Sequence, residues 1–247
     1  MDRWIGKTAV VTGASSGIGA AISVALADTG IKVVGLARRP ERIDELKSLV
    51  RGNGTITSRK CDVSSPEEVA ATFKWIDETF GGVHIMINNA GVFYSGGITD
   101  VGNDMLSEKD ALAIIDINLK GPIMCARHAI ASMRCNDFDG HVVNINSIAG
   151  HYVPWSSKFN VYASSKYGIT GFTASLLNEL ADHKNKIKVT SLSPGLVRTE
   201  LAGVSEHTDM PALRPEDVAD AVLYVLSTPP SVNINELTIT SVTERRL

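Results

Sequence analysis

Short runs rich in β-branched residues alternate along the chain with longer stretches whose apolar positions recur at helical spacing. Residues 8–12 (Thr-Ala-Val-Val-Thr), 32–36, 55–60, 84–88, 141–146 and 187–192 read as strands. Residues 17–28, 41–50, 66–80, 108–133, 160–182 and 215–226 read as helices, and 236–240 is a candidate last strand. Ser64 or Ser65 supplies the cap that opens the third helix, with Pro66 in its first turn.

Strands separated by helices imply right-handed crossovers and a mostly parallel sheet. The apolar character of the first, fourth and fifth strands fits burial on both faces. No Ser/Gly/Pro linker, internal repeat or low-complexity segment divides residues 1–247. The pattern therefore predicts one Rossmann-type, doubly wound α/β domain, with about seven strands and helices on both faces. In such a sheet the ligand sits beyond the carboxyl ends of the strands, where the strand order reverses.

Composition narrows the partners. A formal net charge of −3 without long runs of one sign gives no surface for nucleic acid or an anionic membrane. The first residues, Met1-Asp2-Arg3-Trp4-Ile5-Gly6-Lys7, lack the apolar core of a signal peptide, and no apolar run is long enough to span a bilayer. Cys61, Cys125 and Cys135 have spacings of neither a disulfide framework nor a zinc site, so buried or inert thiols and a cytoplasmic location are expected. The histidines form no ligand cluster; His141 and His151 are expected to serve packing or hydrogen bonding, and no metal is expected.

Two local motifs carry chemistry. Tyr162-Ala163-Ser164-Ser165-Lys166 puts a phenol and an ammonium four residues apart, hence on one helix face. A cation beside a tyrosine favours the phenolate, so the pair reads as a general acid/base with a lowered phenol pKa. At the end of the first strand, Thr12-Gly13-Ala14-Ser15-Ser16-Gly17-Ile18-Gly19 offers a tight turn and a close approach of backbone to a pyrophosphate. The helix that follows adds amide donors and the positive end of its dipole.

Seven pieces in order, Thr12-Gly13-x-x-x-Gly17-x-Gly19, Cys61-Asp62-Val63, Asn88-Asn89-Ala90-Gly91, Asn118, Ser147, Tyr162-x-x-x-Lys166 and Pro194-Gly195, resemble the short-chain dehydrogenase/reductase family over essentially the whole chain. Met1–Trp4, 140–147 and 214–229 are similar to the branch that holds animal carbonyl and steroid reductases of the dehydrogenase/reductase member 11 type and insect farnesol dehydrogenases. The resemblance implies hydride transfer between a nicotinamide cofactor and an alcohol or carbonyl. It makes Tyr162 the proton donor or acceptor and Ser147 the donor to the developing oxyanion. Lys166 becomes the partner of the nicotinamide ribose. Asn118 becomes the residue that distorts its helix, so that a backbone carbonyl holds a water in a relay to Lys166. Asp62 and Val63 would face the adenine. Asn89, Ala90 and Gly91 would approach the ribose or brace the turn beneath it. Pro194, Gly195, Val197 and Thr199 would meet the nicotinamide end, Thr199 at its carboxamide.

An NAD enzyme of this fold usually ends its second strand on a carboxylate. Here that strand ends Gly35-Leu36-Ala37-Arg38-Arg39. Two guanidiniums suit a 2′-phosphate, so NADP(H) is expected. The segment from Leu196 to Val204, with Phe93, Tyr94, Tyr152, Val153 and Trp155, could line a lipophilic cleft for an isoprenoid alcohol such as farnesol, a ketosteroid or a related carbonyl. The apolar segment would serve equally as core or as a dimer contact, and Gly203 suggests a mobile lid. The family's common Val-Asp-Gly-Gly signature is replaced by Glu236–Glu244. That favours a homodimer through helices 108–133 and 160–182 over the family's tetramer. The alternative function is a catalytically silent NADP-binding regulatory protein of the same fold.

Overall fold

The computed structural model describes residues 1–102, 104–154, 156–201 and 210–244. The strands are β1 (Thr8–Thr12), β2 (Lys32–Ala37), β3 (Thr55–Lys60), β4 (Ile85–Asn88), β5 (His141–Ile145), β6 (Lys188–Pro194) and β7 (Glu236–Ile239). The helices are α1 (Gly17–Asp28), α2 (Glu41–Leu46), α3 (Pro66–Phe80), α4 (Glu108–Ile115), α5 (Gly121–Cys135), α6 (Asn160–Asp182) and α7 (Pro215–Ser227). The strands form one parallel sheet in the order β3-β2-β1-β4-β5-β6-β7. Val10 of β1 pairs with Val34 on one side and Met86 on the other, so the order reverses between β1 and β4.

Alternation along the strands sorts side chains onto two faces. Ala9, Val11, Ile85, Ile87, Val143 and Ile145 join one apolar cluster; Val10, Met86 and Val142 join the other. Ile22 and Leu26 of α1 and Val218, Val222 and Val225 of α7 complete the first cluster. Phe73 and Ile76 of α3, Ala129 and Met133 of α5 and Leu176 of α6 complete the second. Fully burying each such side chain contributes roughly 1.5–3 kcal/mol, which makes this two-sided core the main stabilising feature. Trp4, fully buried, ties the amino-terminal turn to α7 by donating its indole N–H to the Leu226 carbonyl at 2.8 Å.

Element boundaries follow local chemistry. Ser65 caps α3, its Oγ accepting from the Glu68 amide at 3.2 Å, and Gly81 ends the helix in the left-handed region at φ +74°. The second helix is shorter than expected: regular α-helix stops at Leu46, and a 3₁₀ turn continues to Leu49. β6 runs two residues beyond the expected end, to Pro194. The expected helix 108–133 is interrupted by a π-helical turn at Asp116–Lys120, where the Gly121 amide bonds the Asp116 carbonyl. Such turns recur at functional sites.

His141 is buried with Nε2 2.8 Å from Thr190 Oγ1, and burial lowers its pKa to about 3. His151 Nε2 lies 2.9 Å from Ser193 Oγ. Both thus make the hydrogen bonds expected of them. Cys61 and Cys125 are buried, and burial raises both thiol pKa values; Cys135 is exposed. Its position in the last turn of α5, outside both apolar clusters, leaves it uncovered.

Candidate active site

The loop after β1 and the turn after β4 form one braced unit at the point where the strand order reverses. Asn89 and Ala90 each donate a backbone N–H to Thr12 Oγ1 at 3.0 Å, and Asn89 Nδ2 donates to the Thr12 carbonyl at 2.9 Å. Glycine is required at this approach. Gly13 sits at φ +65°, and a Cβ there would lie 2.9 Å from Ala90 Cα; at Gly19 it would lie 2.3 Å from the Gly13 carbonyl oxygen. Ser16 precedes α1 without capping it by its side chain, which leaves first-turn amides for an anion.

From this unit a cleft of about 830 Å³ runs across the carboxyl ends of the strands. On the β2–β3 side it is lined by Arg38, Arg39, Asp62 and Val63, and on the β5–β6 side by Ser147, Tyr162, Lys166 and Pro194. Arg38 and Arg39 are exposed and make no salt bridge among the described residues. Burial acts to raise the Asp62 pKa, but hydrogen bonds from Ser64 and the charge of Arg38 outweigh it and hold the carboxyl below its ordinary value. A glycine cradle at a helix start and two unpaired guanidiniums where a carboxylate would select NAD are the donor set that a 2′-phosphorylated dinucleotide needs.

At the other end of the cleft, Tyr162 and Lys166 stand one turn apart on α6, facing the end of β5. Ser147 and Tyr162 line this same end of the cleft, the Ser147 hydroxyl acting to lower the phenol pKa, and Ser147 Oγ accepts from the Ala149 amide at 3.1 Å. Lys166 is buried, donates to the Ile145 carbonyl at 3.0 Å, and holds its Nζ 5.8 Å from the centroid of the Tyr162 ring. Phe93 meets the Tyr162 ring edge-on at 5.3 Å, and Phe159 lies 6.1 Å from it.

The protonation of this pair differs from expectation. Burial raises the Tyr162 pKa, and the opposing effect of the Ser147 hydroxyl does not reverse it. Burial also lowers Lys166 from 10.5 to about 8. In the chain without cofactor, desolvation therefore sets the direction of both shifts. Helical spacing reports that two groups are neighbours, but not how much water either has lost.

Asn118 lies in the π-helical turn, buried behind the cleft. It donates to the Val92 carbonyl at 2.9 Å, accepts from the Val92 amide at 2.8 Å and donates to Ser165 Oγ at 3.3 Å. The helix is thus distorted where expected, and the side chain clamps the β4 turn to α6.

Most expected residues line the cleft: Gly13, Ser15, Ser16, Gly17, Ile18, Arg38, Arg39, Asp62, Val63, Asn89, Ala90, Gly91, Ser147, Tyr162, Lys166, Pro194, Gly195, Val197 and Thr199. Gly19 does not; it is buried beneath the loop, and its part is the close packing of α1 on β1. Phe93, Tyr152, Leu196 and Leu201 line the substrate end, whereas Tyr94 and Val153 are exposed outside it. Trp155, Ala202, Gly203 and Val204 lie outside the described residues. Pro154, Phe159, Met210, Pro211, Thr243 and Glu244 also line the cleft and were not anticipated. Phe159 alone carried a local signal, three residues before Tyr162 and next to the start of α6.

Fold and site together are those of a doubly wound α/β oxidoreductase whose cleft contains a Ser–Tyr–Lys group. A family model described as short chain dehydrogenase matches residues 7–209, and the chain belongs to that family. It is 45% identical over 248 residues to a protein of Aedes aegypti named farnesol dehydrogenase, covering 99% of this chain and 100% of that one. It is 38% identical over 255 residues to dehydrogenase/reductase SDR family member 11 of Mus musculus, covering 96% and 95%. Among solved structures, an alcohol dehydrogenase of Thermococcus sibiricus complexed with 5-hydroxy-NADP matches with a TM-score of 0.85 at 28% identity, covering 97% and 98%. The closed form of serine dehydrogenase complexed with NADP+ matches with a TM-score of 0.84 at 30% identity, covering 96% of each chain.

Proposed function

We propose that the protein is an NADP(H)-dependent oxidoreductase that interconverts a lipophilic alcohol and its carbonyl compound, with Tyr162 as the general acid/base. The observation that carries this reading is the meeting of Ser147, Tyr162 and the buried Lys166 in one cleft with the glycine cradle, Arg38 and Arg39.

Bound NADP(H) supplies or accepts the hydride. Tyr162 gives a proton to the carbonyl oxygen in reduction and takes it from the alcohol in oxidation. Ser147 donates a hydrogen bond to the same oxygen, where negative charge grows. Lys166 spends one N–H on Ile145 and keeps its other donors for the ribose hydroxyls of the cofactor. Asn118 holds the β4 turn and α6 in register and frees helix carbonyls for a water in a relay to Lys166. Arg38 and Arg39 hold the 2′-phosphate, Asp62 and Val63 the adenine side, and Val197 and Thr199 the carboxamide end.

The substrate class rests on the apolar wall of Phe93, Tyr152, Phe159, Leu201 and Met210, together with the similarity to a farnesol dehydrogenase. The similarity favours an isoprenoid alcohol such as farnesol, with ketosteroids as the other class. The same reading places the protein in the cytoplasm as a homodimer through α4–α5 and α6, on whose surfaces Leu112 and Tyr167 stand exposed; light scattering checks the mass.

A kinetic panel of farnesol, farnesal, ketosteroids and small dicarbonyls with NADP(H) and NAD(H) tests the proposal. It predicts the highest kcat/KM for isoprenoid substrates with NADP(H). NADPH binding without turnover of any of them would favour a silent cofactor-binding protein instead.

A further inference from the structure

The chain beyond β7 returns to the cleft. A turn closed by the Glu244 amide on the Ser241 carbonyl at 3.0 Å brings the Glu244 carboxylate over the end of β6. Its Oε1 accepts from the Leu196 amide at 2.8 Å, and its Oε2 accepts from the Ser241 amide at 3.2 Å. Gly195 makes room for it: a Cβ there would lie 2.1 Å from Oε2 and 2.5 Å from Oε1. The carboxylate thus occupies the volume that any other residue at 195 would fill.

The consequence concerns the backbone after Pro194. The Gly195 amide is spent on the Ile239 carbonyl at 2.8 Å and the Leu196 amide on Glu244. The Leu196 carbonyl accepts from the Leu213 amide at 2.8 Å, and the Arg198 amide donates to the Leu213 carbonyl at 2.9 Å. Between these fixed points Val197 lines the cleft, and its amide makes no hydrogen bond among the described residues. A nearly buried amide without a partner is a donor held for a ligand. Glu244 is an anchor that fixes which way this short segment turns.

We infer that Glu244 is a positioning residue for the nicotinamide end of the cofactor: its carboxylate pins Gly195 and Leu196 so that the Val197 amide is presented to the cofactor's carboxamide. The inference rests on the NADP(H) reading above. It assigns a purpose to the segment that replaces the family's common carboxyl-terminal signature. Glu244 need not touch the cofactor; it acts through the backbone it holds.

The test compares two ligands of the unmodified chain and its variants by isothermal titration: NADPH, and 2′,5′-ADP, which carries the phosphorylated adenosine half alone. Glu244→Ala should weaken NADPH by about tenfold, the value of one hydrogen bond at the upper end of its usual range, and leave 2′,5′-ADP within about twofold. Glu244→Gln keeps an acceptor for the Leu196 amide and should stay within about threefold of wild type for both ligands. Gly195→Ala should reproduce the NADPH defect by displacing the carboxylate, and should add little in the Glu244→Ala background. Binding of 2′,5′-ADP at full strength certifies that each variant is folded. Equal weakening of both ligands, or weakening of neither, would overturn the inference while leaving the cofactor reading intact. Failure of the wild-type chain to bind either ligand would overturn the cofactor reading and this inference with it.

Discussion

Replacing Lys166 with methionine should stabilise the cofactor-free protein while removing its turnover. Burial lowers the Lys166 pKa from 10.5 to about 8. The charged lysine therefore costs the folded state about 3 kcal/mol relative to the unfolded chain at neutral pH. Methionine keeps the unbranched stem and removes the charge, but leaves the Ile145 carbonyl without its 3.0 Å donor, a loss of about 1–2 kcal/mol. The net gain is about 1–2 kcal/mol, or a rise in Tm of roughly 2–8 °C for a chain of this size. Its pH dependence is fixed in sign. Between about pH 8 and 10.5 the unfolded chain holds a proton at this site that the folded chain has released, so wild-type stability rises with pH through that window. Below the window the burial penalty acts in full, and within it the advantage of the variant shrinks. Urea unfolding of wild type and Lys166→Met at pH 7 and pH 10, followed by far-UV circular dichroism, measures both quantities. A variant less stable than wild type at pH 7, or a difference equal at the two pH values, would refute the argument from burial.

Three further outcomes follow from the geometry. Arg38→Asp removes a charge-assisted contact to the 2′-phosphate, so NADPH should bind about 10–100-fold more weakly and NADH should be little affected; calorimetric titration of both reads the gap. Gly19→Ala places a methyl group 2.3 Å from the Gly13 carbonyl and should reduce stability by about 1–3 kcal/mol in urea unfolding, although residue 19 does not line the cleft. Asn118→Ala leaves the half-buried amide and carbonyl of Val92 without their side-chain partners, and should lower both kcat and stability, the latter by about 1–3 kcal/mol, in assays run on the same preparation.

What was legible in the sequence was local or periodic. The alternation of apolar runs and helical stretches is enough to place the strands, most plainly β1, β4 and β5, which are buried throughout. Gly13–Gly19 and Tyr162–Lys166 are short motifs whose geometry their own spacing dictates. The distortion at Asn118 came from the family resemblance rather than from helix propensity, and the π-helical turn lies there. Long-range contacts carried no such signal. Glu244 meets Leu196 across 48 residues, and Met210 reaches the cleft from beyond the undescribed segment 202–209. The direction of the Tyr162 shift was misread for a related reason. The spacing places a cation nearby, but burial is set by Phe93, Phe159 and the end of β5, which come from elsewhere in the chain.

The central claim is that Tyr162 moves the proton while the cofactor moves the hydride. Its most direct test is Tyr162→Phe, assayed for NADPH-dependent reduction of farnesal alongside titration of NADPH. Loss of one hydroxyl should lower kcat by about 10²–10⁴-fold, the usual contribution of a general acid. The NADPH Kd should stay within about threefold, since Arg38, Arg39 and the glycine cradle remain in place. Near-normal turnover by the phenylalanine variant would contradict the account.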